Sequence, residues 1–340
     1  MKAIFDDRQW AHDPKSFMEN GQALPNPEQP KRIEVLSAGA KAAGCDFHAP
    51  PDHGIGPIAA IHSPEYLTFL STIHTRWSRM KGASDEVIPN IHPDRRTASY
   101  PRSAAGQAGF HQADTACPIA AGTWEAAYWS AQTALGGVDA ILAGARAVYS
   151  LCRPPGHHAF GDLAGGFCFL NNAAIAAEAL LKAGRRPAIL DIDVHHGNGT
   201  QGIFYGRRDV LTVSMHADPI RFYPFFWGHA DERGEGEGLG YNLNLPMPRG
   251  TTDAEYLEVL KSALGRIEMF GADVVVVALG LDGHENDPFQ GFKITTPGFA
   301  RIAQAIAEMG LPSIIVQEGG YLSDDLGANL TSFLTGYQPK

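Results

Sequence analysis

VVVVALGLDGHENDP, residues 274–288, decides the fold. Its unbroken apolar run reads as a strand covered on both faces, the condition of a parallel sheet lying between helical layers. A glycine closes the run, and Asp282, His284 and Asp287 follow at once. The same grammar, an apolar strand and then a polar cluster, recurs along the chain. RPPGHHA (153–159) follows one strand and carries His157 and His158, and AILDIDVHHGNGT (188–200) delivers Asp191, Asp193, His195, His196 and Asn198. VLTVSMH (210–216) ends at His216, and SIIVQEGGY (313–321) supplies Glu318 and Tyr321. Strands are expected at 147–151, 188–192, 210–215, 274–279 and 313–316, with helices near 124–142, 171–183, 253–269, 298–309 and 324–335. Such alternation specifies an α/β fold. No linker-like break divides it, so residues 1–340 are expected to form one domain.

Composition bounds the partners. Hydrophobic residues make up 44% of the 340 and charged residues 19%, ordinary for a soluble globular protein. The formal net charge of −10 argues against nucleic acid, whose phosphates demand a basic face, and suits a cationic substrate. Cys45, Cys117, Cys152 and Cys168 contain no C-x-x-C pair and are expected to be reduced thiols. MKAIFDDRQW lacks the apolar segment of a secretory signal, and no apolar run approaches the ~20 residues of a membrane span, so a cytoplasmic protein without membrane partners is expected. One stretch breaks the α/β rhythm. From about residue 77 to 122 the chain is rich in Pro, Ser, Arg and Gly with little periodicity, as in VIPNIHPDRRTASYPRSAAG (87–106). A connection this long is expected to form an active-site rim or a contact within a homodimer, the bland alternative being a mobile surface loop.

Ligands of open parallel sheets bind at the carboxyl ends of the strands, where these polar groups gather. Asp193 and His195 alternate with Val194, so both side chains can face one side, and Asp282 arrives from a neighbouring strand. Three such ligands with an open fourth position describe a catalytic zinc site, although two carboxylates and an imidazole also tolerate other metals. Alone, D-x-H would more often be a hydrogen-bonded pair. His157 and His158 follow a stiff Pro-Pro-Gly turn, which suits a general base held in place through its second ring nitrogen. Asp191 and Asn198 are expected to be those orienting partners. Gly319 and Gly320 allow a tight turn that brings the Tyr321 phenol over the site, as a donor to the oxyanion formed when water attacks an amide. Asp114 is read as a solvated surface charge rather than as an anchor for a distant ammonium.

RPPGHHA, DIDVHHGNGT (191–200), LGLDGHENDP (279–288) and EGGY (318–321), with HSPEYLTFL (62–70), GGFCFLNNAAIAA (165–177) and VSMH (213–216), resemble the histone deacetylase superfamily across nearly the whole chain. Within it, GTWEAA (122–127) and FKIT (292–295) resemble the bacterial acetylpolyamine amidohydrolases. The resemblance implies an arginase–deacetylase fold with an eight-stranded parallel sheet between helical layers. It implies one zinc on Asp193, His195 and Asp282, base and acid work by His158, electrostatic support from His157 with Asp191, and an oxyanion donor in Tyr321. Asn198 stands where relatives have Asp or Asn. The resemblance also implies potassium at Asp191, Asp193, His195, Ser214 and Met215, and a second potassium site at Phe204, Arg207, Val210 and Tyr241, where Arg207 could serve only through its carbonyl. Phe167 and Tyr223 match the family's channel walls, and the Gly166 carbonyl would accept the scissile N–H.

The expected reaction is deacetylation of acetylated polyamines or related small acyl amines. The alternatives are a lysine deacetylase acting on protein or peptide, and a non-catalytic, metal-stabilised protein that binds acyl ligands. An arginase-like enzyme would need further carboxylates for a second metal, and Gly197 and His284 stand where they would be wanted.

Overall fold

The structure, a computed structural model, describes residues 1–94 and 99–338. Its strands are β1 (Lys2–Ile4), β2 (Ser16–Glu19), β3 (Gln22–Pro25), β4 (Asp46–His48), β5 (Ala147–Ser150), β6 (Pro187–Asp191), β7 (Leu211–Ala217), β8 (Asn242–Met247), β9 (Val274–Leu279) and β10 (Ser313–Gln317). The helices are α1 (Lys31–Ala42), α2 (Gly56–Ala59), α3 (Pro64–Trp77), α4 (Ala104–His111), α5 (Thr123–Leu142), α6 (Asn172–Lys182), α7 (Asn198–Phe204), α8 (Asp253–Phe270), α9 (Thr296–Glu308) and α10 (Leu326–Gly336).

Eight strands form one parallel sheet in the order β4-β1-β5-β10-β9-β6-β7-β8, while β2 and β3 make a separate antiparallel hairpin. β9 shows why its sequence is apolar throughout. Val275, Val277 and Leu279 pack with α1, α8, α9 and α10 on one face, and Val274, Val276 and Ala278 pack with α5 and α6 on the other. Each buried valine contributes about 1.5–3 kcal/mol through removal from water, which offsets the cost of ordering so long a chain. Local signals fix the helix ends. At α8, Thr252 and Glu255 form a reciprocal capping box, and Gly271 closes the helix in the left-handed region with φ 74°.

The stretch at 77–122 departs from the irregular loop expected. Helix α4 lies within it, and Val87 bridges Ile119, so much of the stretch folds back on α3 around Tyr66, Phe69 and Ala108. Residues 95–98 of that stretch lie outside the described residues. Among the described residues, no helix is long and apolar enough to cross a membrane. None of the four cysteines is in a disulfide.

Candidate active site

β5, β10, β9 and β6 are neighbours in the middle of the sheet. Their carboxyl ends therefore set 153–158, 318–321, 280–287 and 191–198 side by side. His195 Nδ1 lies 3.1 Å from both Asp193 Oδ1 and Asp282 Oδ2, and ligand atoms of the three buried side chains all fall within 4.8 Å of one another. Two buried carboxylates converging on one imidazole are costly unless a cation lies between them. Glycine makes the approach feasible: a Cβ on Gly319 would come 2.3 Å from Asp282 Oδ2 and 2.5 Å from Asp193 Oδ2. The remaining carboxylate oxygens are held by backbone, since Val194 N–H donates to Asp282 Oδ1 at 3.1 Å and Gly319 N–H to Asp193 Oδ2 at 2.8 Å. This oxygen-rich donor set, aimed and buried, fits one divalent cation.

The tandem histidines stand beside the trio with ring centroids 4.0 Å apart. His157 Nδ1 meets Asp191 Oδ2 at 2.9 Å, and His158 Nδ1 meets Asn198 Oδ1 at 2.7 Å. Burial opposes charge on both rings, but Asp191 and Asp193 outweigh it at His157 and push it up to about 10. His158 has only an amide partner. Burial, with His157 and His195 nearby, holds it well below the usual imidazole range, so its Nε2 remains free to take a proton. Glu318, which sequence reasoning left without a role, accepts from the backbone N–H groups of Gly156 and His157 at 2.6 and 3.1 Å; burial pushes its carboxyl up to about 7.

A cavity of about 560 Å³ opens onto these groups, with His158, His195 and Tyr321 at its buried end and Phe167, Phe222, Tyr223 and Phe289 in its walls. A broader depression of about 800 Å³ beside Trp10 and Phe47 contains none of the strand-end histidines or their partners. Gly166 (φ 49°) and Phe167 (φ 69°) are both left-handed. A Cβ at Gly166 would come 2.5 Å from His158 Cδ2, so only glycine fits there. The Phe167 conformation costs about 1–3 kcal/mol and is held by ring contacts with Phe17 (5.8 Å) and Tyr321 (5.7 Å). Tyr223 packs edge-on to His158 at 4.9 Å.

Asp114 is not the solvated charge expected from sequence. Its Oδ2 accepts from the Tyr223 hydroxyl at 2.7 Å and from the Gly166 N–H at 3.1 Å, tying the two sides of the channel together. Sequence reasoning also missed Phe222, whose ring stacks on His195 at 5.0 Å, and Arg32. Arg32 donates to the carbonyls of Glu318 and Gly320, each at 2.7 Å, and its guanidinium lies 5.0 Å from the Tyr321 ring centroid. Arg32 and Arg153 are fully buried and share Glu28 Oε1, at 2.7 and 2.8 Å. The hint in the sequence is the four-residue spacing of the opposite charges Glu28 and Arg32 at the entry to α1.

Of the residues expected at a first potassium site, Asp191 and Ser214 are paired across β6 and β7 and line one small cavity near the trio. Met215 is buried, and the Ser214 hydroxyl lies 2.9 Å from His216 Nδ1. At the second, the Phe204 and Tyr241 carbonyls already accept backbone bonds from Arg207 and Thr212. The Arg207 guanidinium turns to Glu178 and Asp209, at 2.9 and 2.8 Å, and Val210 is buried.

Residues 26–337 match the histone deacetylase domain. The chain belongs to the histone deacetylase family. Among its relatives in that family, the acetylpolyamine amidohydrolase of Burkholderia pseudomallei (strain 1710b) is 48% identical over 338 residues, covering 99% of this chain and 98% of that protein. The acetylpolyamine amidohydrolase of Mycoplana ramosa is 43% identical over 339 residues, covering 99% of each chain. The crystal structure of the acetylpolyamine aminohydrolase from Burkholderia pseudomallei superposes with a TM-score of 0.96 at 48% identity, covering 99% of this chain and 98% of that one. Membership in this family brings the arginase–deacetylase fold and hydrolytic amide chemistry with it.

Proposed function

We propose that the protein is a zinc-dependent deacetylase of acetylated polyamines or related small acyl amines. The observation that carries this reading is the buried trio at the end of a narrow, aromatic-walled cavity, with a neutral, amide-partnered histidine beside it. The names of full-length relatives supply the substrate class. Asp193, His195 and Asp282 would hold the metal, which when bound supplies Lewis acidity to the acyl carbonyl and to water. The aromatic walls bind the methylene chain and exclude bulk water, and the Gly166 carbonyl accepts the scissile N–H. His158 Nε2 takes a proton from the attacking water, while the His157 imidazolium beside it offsets negative charge. The Tyr321 hydroxyl, kept protonated by burial, donates to the tetrahedral oxyanion. His158 then passes its proton to the leaving nitrogen, and amine and acetate depart.

Potassium at Asp191, Asp193, His195, Ser214 and Met215, and a second potassium at Phe204, Arg207, Val210 and Tyr241, belongs to the same proposal, as does a homodimer contact through 77–122, where Ile91 and Tyr100 are exposed. Acetate release from acetylputrescine, acetylcadaverine and acetylspermine, measured beside an acetylated peptide, tests the assignment. Polyamines should be cleaved faster, a chelator should stop the reaction and zinc should restore it. A faster peptide would transfer the reading to a protein lysine deacetylase.

A further inference from the structure

The mouth of the cavity is not uniformly acidic. Glu19 at the turn of the β2–β3 hairpin, Arg221 in the loop after β7 and Arg249 in the loop after β8 line the same cavity as His158 and Tyr321, but are exposed where those are buried. The hairpin stands on the Phe167 side, through Phe17. Arg249 lies beside Phe222, its guanidinium 5.4 Å from the centroid of that ring, which stacks on His195. Arg221 immediately precedes Phe222 in the same loop. Among the described residues none of the three charged groups joins an ion pair, and Arg249 donates only to the Gln290 carbonyl at 3.2 Å. Asp114, in contrast, is engaged by Tyr223 and Gly166.

A diamine can use the carboxylate but meets two guanidiniums that repel its free ammonium. A ligand that uses both signs carries an ammonium and a carboxylate on one carbon. Resting on the deacetylase reading, we propose that the mouth recognises the α-amino acid head of a free, side-chain-acetylated amino acid. Its ammonium pairs with Glu19 and its carboxylate with Arg221 and Arg249, in the fork geometry that guanidinium offers a carboxylate. The methylene chain runs between the aromatic walls and the acetyl group reaches the floor. Water adds to the acetyl carbonyl, the C–N bond breaks, the side-chain amine leaves with a proton, and acetate is the second product.

Two substrate pairs differ only by the α-carboxylate: Nε-acetyl-lysine against acetylcadaverine, and Nδ-acetylornithine against acetylputrescine. The zinc-loaded enzyme should favour the amino acid of each pair in kcat/KM by roughly tenfold, the discrimination available to a partly exposed site with paired charges. Arg221→Gln combined with Arg249→Gln should lower kcat/KM for the amino acids about tenfold or more through KM and raise it for the diamines, inverting the preference. Glu19→Gln should weaken all four substrates. All three side chains are exposed, so the variants should melt with the parent protein. Cleavage of the diamines with no preference for the amino acids, or a preference untouched by the double substitution, overturns this proposal and leaves the deacetylase reading standing. Failure to cleave any of the four overturns both.

Discussion

Asp114 Oδ2 accepts from the Tyr223 hydroxyl and from the Gly166 N–H, so one carboxylate fixes a channel wall and the peptide that faces His158. Tyr223→Phe removes the first bond only and should lower kcat/KM about three- to tenfold. Asp114→Ala releases both sides and should cost ~10²-fold, the scale of an ångström-sized misplacement, with thermal melting near that of the parent. Parent-like kinetics for Asp114→Ala would return it to the role of a surface charge. Tyr321→Phe keeps the ring contacts with Phe289 (4.8 Å) and Phe167 (5.7 Å) and removes the hydroxyl proposed to donate to the oxyanion, so kcat on an acetylated amine should fall ~10²–10³-fold. At this scale the sequence was informative wherever a reactive residue and its partner share a strand end. Asp191 and Asn198 were identifiable because they flank the presumed ligand Asp193. Asp114 was not, because its partners are Tyr223 and a backbone N–H brought near only by folding.

The elements differ in legibility for a similar reason. β9 was readable to the residue because six apolar positions buried on both faces leave no alternative. β1 and β4 are three residues each, too short for any periodicity, and β8 (NLNLPM) alternates with asparagines that bond inward to Gln201 and Glu232. Those strands were expected only through the family's eight-stranded sheet. The β2–β3 hairpin, which supplies Phe17 and Glu19 to the cavity, carried too weak an alternation to stand out. Least legible was the support beneath the loop after β10, where Arg32 from α1 and Arg153 from the loop after β5 share Glu28. Glu28→Gln would leave two fully buried guanidiniums without a counter-charge and should destabilise the fold by about 3–5 kcal/mol in urea unfolding. Loss of well under 1 kcal/mol would show that the pair is solvated in practice.

For the whole molecule, pH acts through imidazoles buried in the neutral form. Burial lowers His62 from 6.5 to about 4 and His12 to about 3, the pull of Glu28 on His12 notwithstanding. The unfolded chain takes up these protons below pH ~6.5 while the folded chain refuses them, so stability is fully present above that value and falls as pH drops toward 4. His62→Gln should shrink the loss between pH 7 and pH 5 by about 2 kcal/mol, since each pKa unit corresponds to roughly 1.4 kcal/mol. An unchanged slope in that variant would place the acid sensitivity elsewhere.

The position of β10 has a consequence for biosynthesis. It lies between β5 and β9, yet follows every other strand of the sheet in chain order. While a ribosome is still extending the chain, the β5–β1–β4 half and the β9–β6–β7–β8 half have no strand to join them, and their exposed edges invite wrong pairing. Asp193, His195 and Asp282 belong to the second half, whereas the backbone N–H of Gly319 that braces Asp193 arrives only with the final strand. Nascent chains should therefore depend on chaperone shielding until β10 emerges, and hold Asp193, His195 and Asp282 in their final arrangement only then.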